Sequence, residues 1–193
     1  ADSLRLIGKK SGAHMLIGSV ADVSQRRIYN SAYFITPDAK LVGRYDKIRP
    51  VIFGEYVPLK KYFPFLEMFR PPIMGPDLSA GKERVMFSLP GGVKFGTTIC
   101  YEDAESDLVR GFVADGARFM VNLTNDGWFL DSSELDMHLV ICAFRSVESR
   151  TPFARAANTG ISSIIDATGK ATAQLIRDGR DREIEGTLTG QIP

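Results

Sequence analysis

The sequence predicts an α/β protein in which helices pack on a mixed β-sheet. Short apolar runs of strand length recur along the whole chain, and two longer segments repeat their apolar residues at helical spacing. Several strands are joined by tight turns, so some neighbouring strands run antiparallel, whereas helices between other strands allow parallel pairing. A sheet of both orientations with helices packed on it accommodates this mixture.

The first part of the chain is predicted to form a meander of strands followed by a long loop. Pro37 and Asp38 occupy a turn that tolerates both residue types, and Pro71 with Pro72 ends an aromatic-rich stretch. The predicted elements are strands at residues 14–20, 29–35 and 41–45, a loop without a clean period at 46–57, and a short helix at 59–69.

The second part is predicted to alternate strands with two helices. Gly91 and Gly92 mark a tight turn, and acidic residues in the next segment indicate a helix that begins directly after Cys100. The inward face of the second helix is predicted to carry Leu135, Leu139, Cys142, Ala143 and Val147. The predicted elements are strands at 84–89, 93–99 and 118–123, helices at 103–115 and 134–150, and strands at 153–157, 161–165, 171–175 and 183–190. We find no repeat or linker and expect one domain.

The composition is that of an ordinary folded protein. Hydrophobic residues make up 44% and charged residues 24% of the 193 residues, enough for one sizeable core. The 24 Lys and Arg residues balance 23 Asp and Glu residues, so no overall positive field favours nucleic acid as a partner. Cys100 and Cys142 are too few for a disulfide framework and lack the spacing of a zinc site.

The sequence contains no candidate membrane span. No apolar run reaches the roughly 18 residues that would cross a bilayer, so we expect the chain by itself to be soluble. Residues 4–10 are typical of the end of an amphipathic helix, from which we expect further sequence upstream.

Cys100 is the first candidate for chemistry. It follows a predicted strand and precedes a predicted helix, where backbone amides and the helix dipole favour a thiolate and can hold an oxyanion. That position suits a nucleophile. The alternative is a buried, inert cysteine, which on position alone is at least as common.

Lys47 and Glu55 form the second candidate pair. The lysine follows a predicted strand, and the glutamate lies eight residues later in a loop that contains Gly54. Loops of this kind often carry function, although taken alone the pattern is explained more simply by two solvated side chains.

The third candidate is the polar end of the strand before the second helix. Residues 121–129 read Val-Asn-Leu-Thr-Asn-Asp-Gly-Trp-Phe, and their polar side chains beside Trp128 resemble a pocket wall or, equally, a turn capped by Asx side chains. These polar residues are Asn122, Thr124, Asn125 and Asp126, and the string at 155–162, which begins with Arg155, belongs to the same candidate. His138, in the following helix, is explained more simply as a packed or surface residue than as a base or ligand, because nothing at metal-ligand spacing accompanies it.

Four strings in this order resemble the apolipoprotein N-acyltransferases. They are residues 47–58 with the ending Phe-Gly-Glu-Tyr-Val-Pro, Ile-Cys-Tyr-Glu at 99–102, Asn-Asp-Gly-Trp-Phe at 125–129 and Asn-Thr-Gly-Ile-Ser at 158–162. The resemblance covers nearly the whole chain. It implies the four-layer αββα sandwich of the nitrilase superfamily, with residues 1–193 forming a carbon-nitrogen hydrolase domain that lacks its N-terminal portion.

The resemblance also implies an activity and its residues. The family moves a fatty acyl group from a phospholipid to the N-terminal amine of a diacylglyceryl-cysteine lipoprotein, through a cysteine thioester and without metal or organic cofactor. By motif position Cys100 would be the nucleophile, Lys47 would stabilise the oxyanion, and Glu55 would be the supporting carboxylate. The substrate pocket would be shaped by Tyr101, Glu102, Asn125 and Trp128.

Two departures from the family pattern bear on activity. The family's general-base glutamate lies upstream of the first strand in this chain, so we expect the isolated chain to be weak or inactive. Two positions carry what we interpret as tolerated variants: Val51-Ile52-Phe53, where many relatives have Pro before the Phe, and Gly127, where many have Ala.

The resemblance places the activity at a membrane. Full-length relatives carry transmembrane helices on both sides of this domain, which implies the periplasmic face of the bacterial inner membrane. The aromatic residues within 62–74, flanked by Lys60, Lys61 and Arg70, would form an interfacial lid, or else a loop packed on the domain.

Two other functions are compatible with the residues. A soluble amidase or nitrilase of the same superfamily would act on a small amide or nitrile. A non-catalytic binding module would keep the fold and need no reactive thiol.

Overall fold

The fold is described from a computed structural model that covers residues 9–24, 27–71 and 75–193. The chain forms two compact units, Ala1–Glu83 and Arg84–Pro193. The helix end predicted at residues 4–10 lies largely outside the described residues.

The first unit contains a three-stranded antiparallel sheet in the order β1-β2-β3. Its strands are β1 (Met15–Ser24), β2 (Arg27–Ile35) and β3 (Leu41–Asp46). The predicted meander is confirmed, and β1 continues four residues beyond the predicted run. It does so because its backbone still pairs with β2 at Asp22, and ladder hydrogen bonds do not depend on an apolar side chain.

A long irregular segment follows β3 and contains one short helix. The helix predicted at 59–69 is instead a 3₁₀ helix over Pro64–Phe69, none of whose residues is buried. Leu59 has a left-handed backbone, with φ 55°, and Pro64 lacks an N–H, so a helix can begin only at the proline. The predicted residues Pro72, Ile73 and Met74 lie outside the described ranges.

The second unit contains a six-stranded mixed sheet in the order β4-β5-β6-β7-β8-β9. Its strands are β4 (Phe87–Ser88), β5 (Lys94–Ile99), β6 (Phe119–Asn125), β7 (Phe153–Asn158), β8 (Ser163–Ile165) and β9 (Ala171–Gln174). The strands β5, β6 and β7 are parallel and the other neighbours are antiparallel. The predicted α/β class with mixed strand orientations is confirmed.

Two helices provide the crossovers that the parallel strands require. Helix α1 (Ser106–Ala114) joins β5 to β6, and helix α2 (Glu134–Ser149) joins β6 to β7. Within the described ranges, no helix is both long and apolar enough to cross a bilayer.

The core of the second unit is built from the apolar faces of these elements. Phe112 of α1 and Met120 of β6 are fully buried, and the ring of Phe95 stacks on that of Phe119 at 4.9 Å between centroids. The buried residues of α2 are Leu135, His138, Cys142 and Ser146. The predicted inward face is therefore right for Leu135 and Cys142 and wrong for Val147, which is 44% exposed.

Three sequence predictions are corrected in this unit. The helix predicted to begin at 103 begins at Ser106, because Cys100–Ala104 form a 3₁₀ helix. The strand predicted at 84–89 reduces to the two residues of β4. The predicted strand at 183–190 does not form, and Gly186 and Gly190 within it disfavour an extended ladder.

Gly96 of β5 packs closely against Phe112 of α1 and Met120 of β6. A methyl group there would lie 2.7 Å from Phe112 Cδ1 and 2.8 Å from Met120 Sδ, both in the buried core. We expect Gly96→Ala to lower the free energy of unfolding by about 1–3 kcal/mol, measured by urea denaturation, because an overpacked core must shift.

The control for this change is Gly75→Ala, where an added methyl group meets no atom within 4 Å. Its effect should stay within about 0.5 kcal/mol. Equal urea midpoints for the two variants would contradict the packing described at Gly96.

Candidate active site

Cys100 occupies a strained turn at the carboxyl end of β5. Its φ is 56°, in the left-handed region that a residue with a Cβ rarely adopts, and it is partly exposed although the last residues of β5 are buried. The carboxylate of Glu102 is buried and accepts the backbone N–H of Ile99 at 2.9 Å, which closes the turn around Cys100. The thiol is thus presented by a tight turn and not by the first turn of an α-helix.

Asn122 fixes the same turn from the neighbouring strand. Its side-chain Nδ2 donates to the backbone oxygen of Cys100 at 2.9 Å and to Oγ1 of Thr98 at 3.1 Å. Asn122 is fully buried and lies on β6, whose inward positions also include Thr124. The parallel strands therefore bring polar side chains together at their carboxyl ends, where α/β sheets commonly bind ligands.

Four charged side chains form a buried network behind this turn. The imidazole of His138 lies between two carboxylates, with Nε2 at 3.0 Å from Asp103 Oδ1 and Nδ1 at 3.0 Å from Asp126 Oδ1. Arg155 donates to the second oxygens of the same carboxylates, at 2.7 Å to Asp126 and 3.4 Å to Asp103. All four side chains are fully inaccessible to solvent.

The geometry favours a charge-balanced network. Ionised carboxylates on both sides of the ring would accept from both ring nitrogens of His138, an arrangement that favours the positively charged imidazole. Two anions and two cations then balance, which is the arrangement that makes buried charge tolerable.

The pKa values of the network follow from this geometry. Burial disfavours the charged imidazole, but hydrogen bonds to Asp103 and Asp126 outweigh burial and raise the pKa of His138 above its ordinary value. Burial likewise works against the charged form of Asp126, yet the hydrogen bond from His138 and the charge of Arg155 lower the pKa of that carboxyl.

Cys142 lies beneath the network and differs sharply from Cys100. It is fully buried on α2, and burial raises the pKa of its thiol well above the ordinary value. Such a thiol is not ionised near neutral pH and is chemically inert.

Tyr101 covers the network on the side of the turn. Its ring stacks on that of His138 at 4.3 Å and meets Phe129 edge-on at 5.6 Å. The Tyr101 hydroxyl is buried and has no hydrogen-bond partner among the described residues. A donor is therefore available here for a ligand.

The two predicted pocket residues at the end of β6 and in the turn that follows it lie at the surface. Asn125 is exposed, and its side-chain oxygen accepts from Asn158 Nδ2 at 3.0 Å and from the N–H of Gly127 at 3.2 Å. Trp128 is 48% exposed. The strings at 125–129 and 158–162 therefore meet, which their separation in the sequence does not reveal.

Gly160 belongs to the same meeting point. A Cβ atom at this position would overlap the carboxylate of Asp126, both of whose oxygens are occupied by the network. The conformation of Asp126 therefore depends on the absence of a side chain at Gly160.

Lys47 and Glu55 form a charged pair in the first unit. Lys47 is 1% exposed, and its Nζ lies 2.7 Å from Glu55 Oε2. Glu55 also accepts from the backbone N–H of Val51 at 2.8 Å and from Asn30 Nδ2 at 3.1 Å. The predicted pairing of lysine and glutamate across the loop is real, and the alternative of two solvated side chains is wrong for Lys47.

The structure gives individual partners to polar residues that the sequence places only within a candidate pocket wall or does not single out. Asp103, Asp126 and Arg155 belong to the network, Asn122 accepts from Arg155, and Asn30 holds Glu55. A signal was present on β6, because Asn122 and Thr124 occupy the buried positions of an alternating strand, where polar residues require partners. Across the described part of the chain, no group of three or more His, Cys, Asp and Glu side chains is arranged to hold a metal ion.

Comparison with known protein families shows which family the chain belongs to. A family model described as carbon-nitrogen hydrolase matches residues 3–193. The chain belongs to the carbon-nitrogen hydrolase family. The match spans both compact units.

Several curated relatives of this carbon-nitrogen hydrolase are apolipoprotein N-acyltransferases. The protein of Geobacter metallireducens is 41% identical over 157 residues, covering 80% of this chain and 30% of the relative. The protein of Allorhizobium ampelinum is 35% identical over 182 residues, covering 90% and 34% respectively. The resemblance indicated by the sequence is confirmed, and the chain spans about a third of the length of these relatives.

Solved structures show the fold of the nitrilase superfamily. An amidase from Nesterenkonia sp. superposes with a TM-score of 0.68 at 18% identity, covering 90% of this chain and 61% of the amidase. A mutant of the Nesterenkonia AN1 amidase, from the nitrilase superfamily, gives 0.66 at 17% identity and covers 90% and 62%. The predicted fold family is confirmed.

The raised pKa of His138 predicts how stability depends on pH. The folded state holds the imidazole proton more tightly than the unfolded chain, where the pKa is about 6.5. The stabilisation is fully present below about pH 6.5 and is lost as pH rises through the folded-state pKa, with a slope of at most about 1.4 kcal/mol per pH unit. Urea unfolding from about pH 5.5 to about pH 9 measures this loss.

The variants for this test use the two histidines of the chain. His138→Gln should be less stable at low pH and should lack the decline, whereas His14→Gln, in the first unit, should retain it. A parallel decline in the wild type and in His138→Gln would show that another group causes it.

Proposed function

We propose that the protein acts as an apolipoprotein N-acyltransferase. It would move a fatty acyl group from a phospholipid to the N-terminal amine of a diacylglyceryl-cysteine lipoprotein, through a thioester on Cys100. The observation that carries the proposal is the partly exposed cysteine in a left-handed turn, within a chain 41% identical to a relative of that name.

The chemistry follows from a thiolate at Cys100. The thiolate attacks the ester carbonyl of the phospholipid, the negative charge moves to the carbonyl oxygen, and collapse expels the lysolipid alkoxide, which takes a proton. The lipoprotein amine then attacks the thioester, gives an amide, and releases the thiol after proton transfer. Neither step requires a metal or an organic cofactor.

Lys47 is assigned as the cation that stabilises the oxyanion. Its burial and its contact with Glu55 support this role, because a charge in a site that excludes water stabilises developing negative charge more strongly than one in solvent. Glu55 would hold the ammonium group in place. Loss of one such oxyanion partner typically raises the barrier by about 3–4 kcal/mol.

The pocket residues divide into two kinds. Tyr101 offers a buried hydroxyl without a partner, and Asn125 and Trp128 offer exposed polar and aromatic surface, so these three would contact substrate. Glu102 is fully buried and holds the N–H of Ile99, which supports a role in shaping the turn beside the nucleophile.

The first unit offers a surface suited to lipid. The stretch of residues 62–69 exposes large apolar side chains, among them Tyr62, Phe65, Met68 and Phe69, each more than half exposed. Lys60 and Arg70 flank the stretch, as in segments that lie in the interface of anionic membranes. These observations support a lipid-contacting lid, and by family resemblance we place it at the periplasmic face of a bacterial inner membrane. Lys60 and Arg70 also pair with Asp77.

A small-molecule amidase is the second candidate. One neighbouring structure, 18% identical with a TM-score of 0.66, is described as showing the acetamide moiety of fluoroacetamide added at the active-site cysteine of the Nesterenkonia AN1 amidase. The exposed apolar stretch and the sequence relatives favour acyl transfer from lipid over this alternative.

The proposed nucleophile is tested with phospholipid that carries a tagged acyl chain. We expect Cys100→Ala to abolish covalent acylation, because no other ionisable thiol is accessible, while Cys142→Ala retains it. Intact-protein mass and peptide mapping locate the acyl group, and a diacylated lipopeptide should discharge it.

The outcomes separate the candidate functions. Equal loss of acylation in the two cysteine variants would remove Cys100 as the nucleophile. Faster acylation of Cys100 by a small aliphatic amide than by phospholipid would favour the amidase. Acylation of the wild type by neither donor, together with alkylation of Cys100 by iodoacetamide no faster than that of a free thiol, would favour a binding module.

The lipid surface is tested by removing exposed apolar side chains. The double variant Phe65→Ser with Met68→Ser should bind anionic phospholipid vesicles at least about 30-fold more weakly, since each apolar side chain that enters the interface contributes about 1 kcal/mol or more. Cosedimentation with vesicles measures the affinity. Hydrolysis of a small soluble ester should be unchanged.

The matched control replaces two equally exposed apolar residues elsewhere, Leu41→Ser with Ile176→Ser. Its vesicle affinity should equal that of the wild type. Equal weakening in both double variants, or a fall in thermal stability of the first, would contradict a dedicated lipid surface at 62–69.

A further inference from the structure

We propose that Asn122 is the positioning residue of the reactive thiol, and that a buried network of charges holds it in that role. The side-chain amide of Asn122 would keep the backbone of Cys100 in its left-handed turn. The inference rests on the proposed function, since it takes Cys100 as the nucleophile.

The contact between Asn122 and Cys100 links two parallel strands. Asn122 Nδ2 uses one hydrogen on the backbone oxygen of Cys100, at 2.9 Å, and the other on Thr98 Oγ1, at 3.1 Å. A left-handed backbone at a residue with a Cβ is strained and persists only where the surroundings impose it. The amide of Asn122 and the carboxylate of Glu102 provide contacts that impose it.

The orientation of the amide is determined by Arg155. Asn122 Oδ1 accepts from Arg155 NH1 at 3.0 Å. The reverse orientation would direct the amide N–H groups at a guanidinium and the amide oxygen at the carbonyl oxygen of Cys100, so the hydrogen bonds to Arg155 and to Cys100 would both be lost. Asn122 therefore has one orientation, with its donors directed at Cys100 and Thr98.

Arg155 is in turn held on every side. Its Nε donates to the backbone oxygen of Ile161 at 3.2 Å, and its two terminal nitrogens reach Asp126 and Asp103. His138 binds the remaining positions of those carboxylates. A continuous series of charge-assisted hydrogen bonds thus runs from α2 through β7 and β6 to the carbonyl of Cys100.

The position of the Cys100 backbone should affect acylation of the thiol by an ester more than alkylation of the thiol by a small reagent. Alkylation by a small, freely diffusing reagent depends on the thiolate and its exposure. Acylation also requires that the carbonyl oxygen of the ester reach its stabilising donors as the sulfur attacks, and a misplacement of about 1 Å can cost about 100-fold in rate. Loss of a positioning residue should therefore impair acylation and spare alkylation.

The experiment compares both reactions in the chain of 193 residues. Acylation is followed with p-nitrophenyl butyrate as the burst of nitrophenolate, and alkylation with iodoacetamide as the plateau of its pH–rate profile. We expect Asn122→Leu, which has a similar volume and no donor, to lower the acylation rate about 100-fold and leave the alkylation plateau nearly unchanged. Asn122→Ser gives the same comparison should the leucine variant fail to fold.

The control is Thr98→Val, which removes the other acceptor of the same amide and leaves the bond to Cys100. It should lose thermal stability but acylate at close to the wild-type rate. Wild-type acylation in a folded Asn122 variant, a joint fall of acylation and alkylation, or an equal defect in Thr98→Val would overturn the positioning role. If the wild type itself forms no acyl-enzyme at Cys100, the proposed function fails, and this inference fails with it.

Discussion

Charge balance in the interior of the second unit is the constraint on which its other features depend. Two carboxylates, an imidazolium and a guanidinium are buried without access to water, and each satisfies the hydrogen-bonding groups of the others. Removal of one partner from such a set leaves an unpaired buried charge, which typically costs about 3–5 kcal/mol. The four residues come from a 3₁₀ helix, a loop, a helix and a strand, so this constraint also fixes how those elements meet.

The network explains why the turn at Cys100 can be strained. A cysteine in the left-handed region requires rigid neighbours, and the neighbours here are an amide whose orientation is dictated by Arg155 and a carboxylate buried under the turn. The same burial that orders the network raises the pKa of Cys142. The same environment therefore leaves the thiol of Cys100 partly exposed and makes the buried thiol of Cys142 unreactive.

The sequence predicted most of the elements but little of the network. Apolar runs and helical spacing depend on residues close together in the chain, so the meander, the parallel strands and α2 could be predicted from them. The helix start after Cys100 could not, because a tight turn closed by Glu102 replaces the first helical turn. The segment at 183–190 has the apolar spacing of a strand but forms none.

The residues of the candidate site that are close together in the sequence could be predicted from a motif. The contacts between residues that are distant in the sequence could not. Lys47 and Glu55 share one loop and could be paired from the sequence, whereas Asp103 and Arg155 are 52 positions apart and touch only in the folded chain. The sequence alone favours a packed or surface position for His138. It is packed, but against two carboxylates, and its position on the helix gives no sign of their presence.

Gly160 shows how far the network extends into residues without chemistry of their own. Even the smallest side chain there would displace a carboxylate that holds both an imidazole and a guanidinium. In a saturation mutagenesis library, substitutions at position 160 should therefore have the same effect as substitutions of Arg155. They would share the phenotype of charge loss, and second-site suppressors would have to arise at Asp126 and not in the solvent-exposed turn beside it.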